Sequence, residues 1–198
     1  PEMKQANLKE ETRSYTLDST KMNGFVVYDD NIKGKRPAVL VVHEWWGIND
    51  YVRNRARQLA ELGYIAMAVD MFGHGKTLDN PSDAQSAAMP FYQNPQMGYQ
   101  RLMAAAEKAK TFPQADSSQL VAIGYCFGGG MVLNAAKLGA PFKGVVSFHG
   151  SLSGVPAKKE LLKSDILVCH GDADPFVPKI EVDQFKKSMD SIQARYTF

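Results

Sequence analysis

The 198-residue chain is 44% hydrophobic and 22% charged, and its 23 Lys and Arg against 21 Asp and Glu give a net charge of +2. This size and composition predict one globular domain over residues 1–198, and the scattered charges argue against binding to nucleic acid. The longest apolar runs, "AVLVVHEWW" and "YIAMAVDMF", are far shorter than the ~20 residues that cross a bilayer, so we expect no membrane segment.

Two cysteines, Cys126 and Cys169, provide neither a disulfide framework nor a CxxC metal spacing. We therefore expect two free thiols, no metal and no cofactor. No signal peptide is visible, and the chain begins "PEMKQANLKEE" without an initiator methionine, which indicates a trimmed or a processed chain. The cytoplasm is the favoured compartment, with a processed periplasmic form as the alternative.

Signals for strands and helices alternate along the chain. The first strands are expected at "RSYTLDS" and "GFVVYDD". Five buried strands follow, which are "PAVLVVHE", "YIAMAVD", "QLVAIG", "KGVVSFHG" and "DILVCHG". Four helices are expected, which are "NDYVRNRARQLAELG", "GYQRLMAAAEKAKTF", residues 128–138 and "IEVDQFKKSMDSI". The segment "MFGHGKTLDNPSDAQ" is a polar connection, and the final "QARYTF" is typical of one more strand that is cut off at its start.

Uninterrupted apolar strands separated by helices predict an α/β fold with a mostly parallel sheet and helices on both of its faces. Sheets of this kind bind ligands beyond the carboxyl ends of their strands. The polar residues expected at those ends are Glu44, Asp70, Cys126, His149 and Asp174. We therefore look for the functional site among these five residues.

The stretch "GYCFGGG", Gly124 to Gly130, lies between a predicted strand and a predicted helix. A chain that reverses within two or three residues needs unusual backbone angles and close contacts, both of which glycine tolerates. The pattern G-x-C-x-G is the nucleophile elbow G-x-S-x-G with a thiol in place of the hydroxyl. Because a helix N-terminus stabilises a thiolate, we expect Cys126 to be an activated nucleophile. The alternative is a small buried residue behind a tight turn.

Three motifs in this order, "VVHEWWG", "GYCFGGG" and "HGDADPFVP", resemble those of the dienelactone hydrolase family of α/β-hydrolases. The resemblance runs from about Gly24 to the last residue, and it implies an α/β-hydrolase fold. It also implies site roles, which are Cys126 as nucleophile, Asp174 as the acid of a triad, Glu44 beside the thiol, and the N–H groups of Phe127 and Trp45 as the oxyanion hole.

The roles of the two acidic residues, Asp174 and Glu44, have alternative interpretations. Asp172 is a rival to Asp174, and either one suits an Asx-turn or a helix cap before the following prolines. Glu44 follows an apolar strand, where a lone carboxylate is costly unless it is paired or functional. An ion pair with an arginine is therefore one expectation. The family resemblance adds that substrate displaces the glutamate from that arginine toward the thiol, whose proton it then accepts.

The histidines and aromatic residues complete the candidate site. His149 is expected to line the substrate, with packing or base catalysis as alternatives, whereas His43 and His170 are expected to be hydrogen-bonded structural residues. His74 stands where dienelactone hydrolase itself has an arginine that grips the substrate carboxylate, so the resemblance implies substrate binding by a weaker, pH-dependent group. Five aromatic residues are expected either to wall an apolar pocket or to belong to the core, which are Trp45, Trp46, Phe72, Phe91 and Tyr92.

These features predict a cysteine-dependent hydrolase of small esters or lactones, with a small-molecule ester or lactone as its partner. The alternative is a catalytically silent member of the fold that binds a small molecule in the same cleft. In the α/β-hydrolase order the histidine of the triad follows the acid, and all four histidines here precede Asp174. We expect a truncated version of a longer protein whose base lies roughly ten residues beyond Phe198 by the family pattern. The alternatives are that the protein has lost its triad or that His149 is the base.

Overall fold

The computed structural model describes residues 5–198, and all of its named strands belong to one sheet. The strands are β1 (Leu8–Leu17), β2 (Thr20–Asp29), β3 (Arg36–Val42), β4 (Ile65–Val69), β5 (Ala115–Tyr125), β6 (Gly144–Phe148), β7 (Asp165–Cys169) and β8 (Tyr196–Thr197). The helices are α1 (Asp50–Glu61), α2 (Pro81–Gln93), α3 (Pro95–Lys110), α4 (Phe127–Lys137) and α5 (Lys179–Ser191).

The strand order across the sheet is β1-β2-β4-β3-β5-β6-β7-β8. The first two strands pair antiparallel with each other, and β2 pairs antiparallel with β4. Every further pair is parallel, so the carboxyl ends of β3 to β7 meet at one edge of the sheet. The predicted mostly parallel α/β sheet of the α/β-hydrolase type is confirmed.

Apolar residues cover both faces of the central strands. On one face α1 buries Val52, Ala56 and Ala60 against β2, β3 and β4. On the other face α3, α4 and α5 pack against the same sheet, with Leu102 and Met189 among the fully buried side chains. Burial on both faces explains why the inner strands are apolar without interruption.

Helix α2 was not predicted from the sequence. Its first residues belong to the stretch "MFGHGKTLDNPSDAQ", which was assigned to a polar connection. The Asn80 side chain accepts a hydrogen bond from the Asp83 N–H, and Pro81 occupies the first turn of the helix. Both are helix-start signals that are visible in the sequence. Of the expected C-terminal strand, the two residues of β8 pair with Ile166 and Leu167 of β7.

None of the helices within residues 5–198 combines the length and the apolar composition that a bilayer span requires.

Candidate active site

A cleft of about 500 Å³ opens at the carboxyl ends of the parallel strands. Three parts of the chain form its walls. The strand ends contribute Glu44, Trp45, Trp46, Cys126, His149 and Ser151. Helix α2 contributes Gln85, Ala88, Met89 and Tyr92, and the loop before α5 contributes Phe176 and Val177. The structure therefore brings five predicted site residues, Glu44, Trp45, Trp46, Cys126 and His149, into one cleft.

Cys126 occupies a strained turn between β5 and α4. Its backbone has φ of 52° and ψ of −114°, a conformation that costs of order 1–3 kcal/mol for a residue with a side chain. The flanking glycines are required by close packing, because a Cβ at Gly124 would overlap the Gly128 carbonyl and a Cβ at Gly128 would overlap the Val42 carbonyl. The turn has the tight geometry expected of an elbow. Cys126 is partly exposed and lines the cleft, whereas the alternative was a small buried residue behind a tight turn.

The electrostatics of the thiol differ from the expectation of an activated thiolate. Burial raises the pKa of Cys126, and the carboxylate charges of Glu44 and Asp174 raise it further. The N–H of Phe127 donates toward the sulfur and lowers the pKa, but this effect is smaller than that of burial. Burial, with a further contribution from the two carboxylates, thus outweighs the effect of the Phe127 N–H and raises the pKa, so the thiol needs a base to become a thiolate.

The backbone N–H groups of Phe127 and Trp45 are the two that were expected to form an oxyanion hole, and the structure describes the surroundings of each. The Phe127 N–H, at the start of α4, faces the Cys126 sulfur. Trp45 follows Glu44 in the loop after β3, and among the described hydrogen bonds its N–H has no acceptor in the protein. A free N–H group beside the reacting carbon is what an oxyanion requires.

His149 lies between the two candidate acids. Its Nε2 is 3.5 Å from Glu44 Oε1, and its Nδ1 is 4.0 Å from Asp174 Oδ2. The expected arginine partner of Glu44 is not seen among the described ion pairs, and an imidazole takes that place. Asp174 makes the expected Asx-turn, because its Oδ1 accepts the Phe176 N–H at 2.9 Å, and its other oxygen faces His149. The rival acid Asp172 is exposed.

Asp70 also follows a strand, but it does not reach the cleft. It is fully buried, and its two oxygens accept N–H groups of Asn23, Gly73 and Gly75 at 2.7–2.9 Å. Its carboxylate therefore stabilises the loop after β4. Asp70 was expected among the residues of the functional site, but it does not line the cleft.

His43 is structural, as expected. Its Nδ1 donates to the Glu44 carbonyl and its Nε2 accepts from the Met71 N–H. Burial lowers the pKa of His43 to about 4, against the raising effects of the Glu44 hydrogen bond and the Asp70 charge.

His74 is exposed, and it is not among the residues that line the cleft. Its φ of 59° and the hydrogen bond from its N–H to the Lys21 carbonyl fix a turn on the outside of the loop. The structure therefore gives His74 no contact with the cleft, and its predicted role in substrate binding stays a prediction.

The aromatic residues divide between the cleft and the core. Trp45, Trp46 and Tyr92 line the cleft as predicted, and burial raises the pKa of the Tyr92 hydroxyl to about 12. Phe72 and Phe91 instead pack on the Phe127 ring, with centroids 5.4 and 5.5 Å away. Sequence analysis missed the α2 residues Gln85, Ala88 and Met89, which the helix-start signal at Asn80 and Pro81 could have indicated.

The chain is similar in sequence and in structure to several known proteins. The profile of the dienelactone hydrolase family matches residues 22–198. A protein named "Putative carboxymethylenebutenolidase" from Saccharolobus solfataricus is 25% identical over 81% of this chain and 74% of its own length. Its namesake from Methylorubrum extorquens is 29% identical over 78% of this chain, which spans only 57% of that relative. The crystal structure of a dienelactone hydrolase-like promiscuous phosphotriesterase from metagenomic libraries superposes with a TM-score of 0.91 at 32% identity, covering 96% of this chain and 80% of that one.

Proposed function

Because this chain belongs to the dienelactone hydrolase family, we propose that it hydrolyses small esters or lactones with Cys126 as its nucleophile. The observation that carries the proposal is the strained conformation of Cys126 at the mouth of the cleft. Strain at a non-glycine residue persists only where the surrounding structure enforces it, and it concentrates at reactive positions. The relatives named for lactone hydrolysis support the same class of reaction.

The first step is attack of the Cys126 sulfur on the ester carbonyl carbon. The raised pKa of the thiol means that a base must take its proton as the substrate binds. We assign this first proton to Glu44, whose only described ion-pair partner is the half-exposed His149. The oxyanion then accepts hydrogen bonds from the N–H groups of Phe127 and Trp45, each of which typically contributes on the order of 10²–10³ in rate.

The second step is breakdown of the tetrahedral intermediate and hydrolysis of the thioester. The proton held by Glu44 passes to a histidine oriented by Asp174, and the resulting imidazolium gives it to the leaving alcohol as the carbon–oxygen bond breaks. The same histidine, now neutral, takes a proton from the water that attacks the thioester carbon. It returns this proton to the sulfur as the carbon–sulfur bond breaks, which releases the carboxylic acid and the thiol. The ester and one water molecule together supply all the atoms of the alcohol and the carboxylic acid, and no step uses a cofactor.

The identity of that histidine has two candidates. All four histidines of the chain precede Asp174, whereas the base follows the acid in the α/β-hydrolase order. We propose that the base follows residue 198 in a longer natural protein. His149 is the alternative, because it is the histidine that lines the cleft within residues 5–198 and its Nδ1 faces Asp174.

The test is turnover of a panel of p-nitrophenyl esters and lactones by the protein in its natural length and by its His149→Ala variant. Turnover by both supports a base other than His149. Turnover that is lost in the variant assigns the base to His149. A protein that binds these compounds without turning any of them over would instead be the catalytically silent binding protein, which the largely apolar cleft and the protonated thiol also suit.

A further inference from the structure

The charges and the walls of the cleft limit the kind of substrate that it accepts. Resting on the proposed function, we propose that the cleft selects neutral esters and lactones with an apolar or aromatic group and discriminates against substrates that carry a carboxylate.

The walls of the cleft are mainly apolar and aromatic. Trp45 and Trp46 lie edge to face with centroids 5.2 Å apart, and Met89 and Tyr92 of α2 line the same cleft. Phe176 adds a ring that is 88% exposed. Flat aromatic surfaces and a flexible thioether favour apolar or planar groups, and the volume of about 500 Å³ suits a small ligand with one ring.

The fixed charges near the thiol are negative. Glu44 lines the cleft, and Asp174 is 4.0 Å from the imidazole of His149, which lies between the two acids. Within residues 5–198 the lining contains no Lys or Arg, and His74 lies outside it. A carboxylate on the substrate would lose its hydration, meet the Glu44 carboxylate and find no Lys or Arg among the lining residues of the described part of the chain. The charges of Glu44 and Asp174 also add, after the larger effect of burial, to the raised pKa of Cys126.

Alkylation of Cys126 tests the charge preference without requiring turnover. Iodoacetamide and iodoacetate have nearly the same size, but only the second is an anion. Rates at Cys126 would be measured by peptide mapping at low ionic strength, because salt screens charges at this range. We expect the ratio of the iodoacetamide rate to the iodoacetate rate to exceed that of 2-mercaptoethanol by about tenfold. A ratio equal to that of the small thiol would overturn the proposal.

Met89 offers a matched pair of variants in the wall of the cleft. Met89→Lys adds a cation, whereas Met89→Gln changes polarity without charge. We expect Met89→Lys to bring the alkylation ratio back toward that of 2-mercaptoethanol and Met89→Gln to keep it near the wild-type value. Equal ratios in the two variants would show that charge in the cleft does not set the preference.

An ester pair separates this inference from the proposed function. We expect kcat/KM for p-nitrophenyl butyrate to exceed that for mono-p-nitrophenyl succinate by at least tenfold. Equal values would overturn the preference for neutral substrates while leaving the hydrolase in place. If the protein in its natural length hydrolyses neither ester, the proposed function fails, and the alkylation ratio alone decides whether the cleft disfavours anions.

Discussion

Two sets of titratable side chains follow neighbouring strands of the same sheet, and they differ in how their polar atoms are satisfied. Asp70 and His43 are fully buried, and backbone groups saturate their hydrogen-bonding atoms. Glu44, Cys126 and His149 are partly exposed in the cleft, and their mutual contacts are loose. Saturation by the backbone marks the structural set, whereas incomplete satisfaction beside a cleft marks the reactive set.

The largest difference between the two sets is expected when the Cys126 thiol is removed. We expect Cys126→Ala to lower kcat/KM for esters by about 10³-fold or more, because the covalent step has no other nucleophile. Cys169→Ala, which truncates the other cysteine at the end of β7, is the matched control and should stay within about threefold of the wild type. Comparable losses in both variants would remove the functional distinction between the two thiols.

Removal of the Asp70 carboxylate should lower the stability of the protein much more than removal of the Glu44 carboxylate. Asp70→Ala leaves three backbone N–H groups without their acceptor, so we expect the free energy of unfolding to fall by about 3 kcal/mol or more. Glu44→Ala removes one partly exposed ion pair and should cost less than about 1 kcal/mol. Urea unfolding of the two variants measures both values. Equal losses would show that saturation by the backbone does not distinguish the two sets.

The lowered pKa of His43 should make the stability of the protein depend on pH. Its pKa is about 4 in the folded protein and 6.5 in the unfolded chain, so between these values the unfolded state binds more protons. Stability should therefore be fully present above pH 6.5 and fall as the pH drops toward 4, by about 3 kcal/mol from this group. Urea unfolding of wild type and His43→Gln across this range measures the difference, which should shrink at lower pH. A constant difference would mean that His43 does not titrate as described.

The smallest expected effect concerns the charge beside the thiol. Because the Glu44 carboxylate raises the pKa of Cys126, Glu44→Gln should lower that pKa and speed iodoacetamide alkylation at pH 7.5 by about threefold. Gln85→Glu adds a carboxylate to the same cleft and should slow the reaction. Changes of the same sign in both variants would contradict an electrostatic cause.

The succession of strands along the chain, most of the helices and the position of the elbow could be predicted because they depend on local patterns. The G-x-C-x-G spacing identifies the turn, and the structure explains it by the contact of Gly124 with Gly128. Helix α2 was missed because it carries an internal proline, Pro90, and begins within a polar segment, although its capping residue Asn80 was visible. The wall of the cleft that α2 provides was therefore missed as well.

The partners of the polar side chains could not be predicted, because they depend on contacts between distant parts of the chain. Asp70 and Glu44 each follow an apolar strand, and nothing local to Asp70 shows that the N–H of Asn23 converges on it across 47 residues. The approach of His149 to Glu44 and Asp174 likewise depends on how two other strand ends and a loop meet. The pKa of Cys126 is raised, against the sequence expectation, by burial and by the charges of Glu44 and Asp174, which also depend on the tertiary structure.

The most direct test of the central claim is capture of an acyl-enzyme on the elbow. The protein would be mixed with p-nitrophenyl acetate, quenched with acid within seconds, and analysed by intact mass and peptide mapping. We predict one acetyl group per molecule, located on Cys126 and absent from the Cys126→Ala variant. An acetyl group located on Cys169 or on a lysine, or ester turnover that persists in Cys126→Ala, would contradict the account.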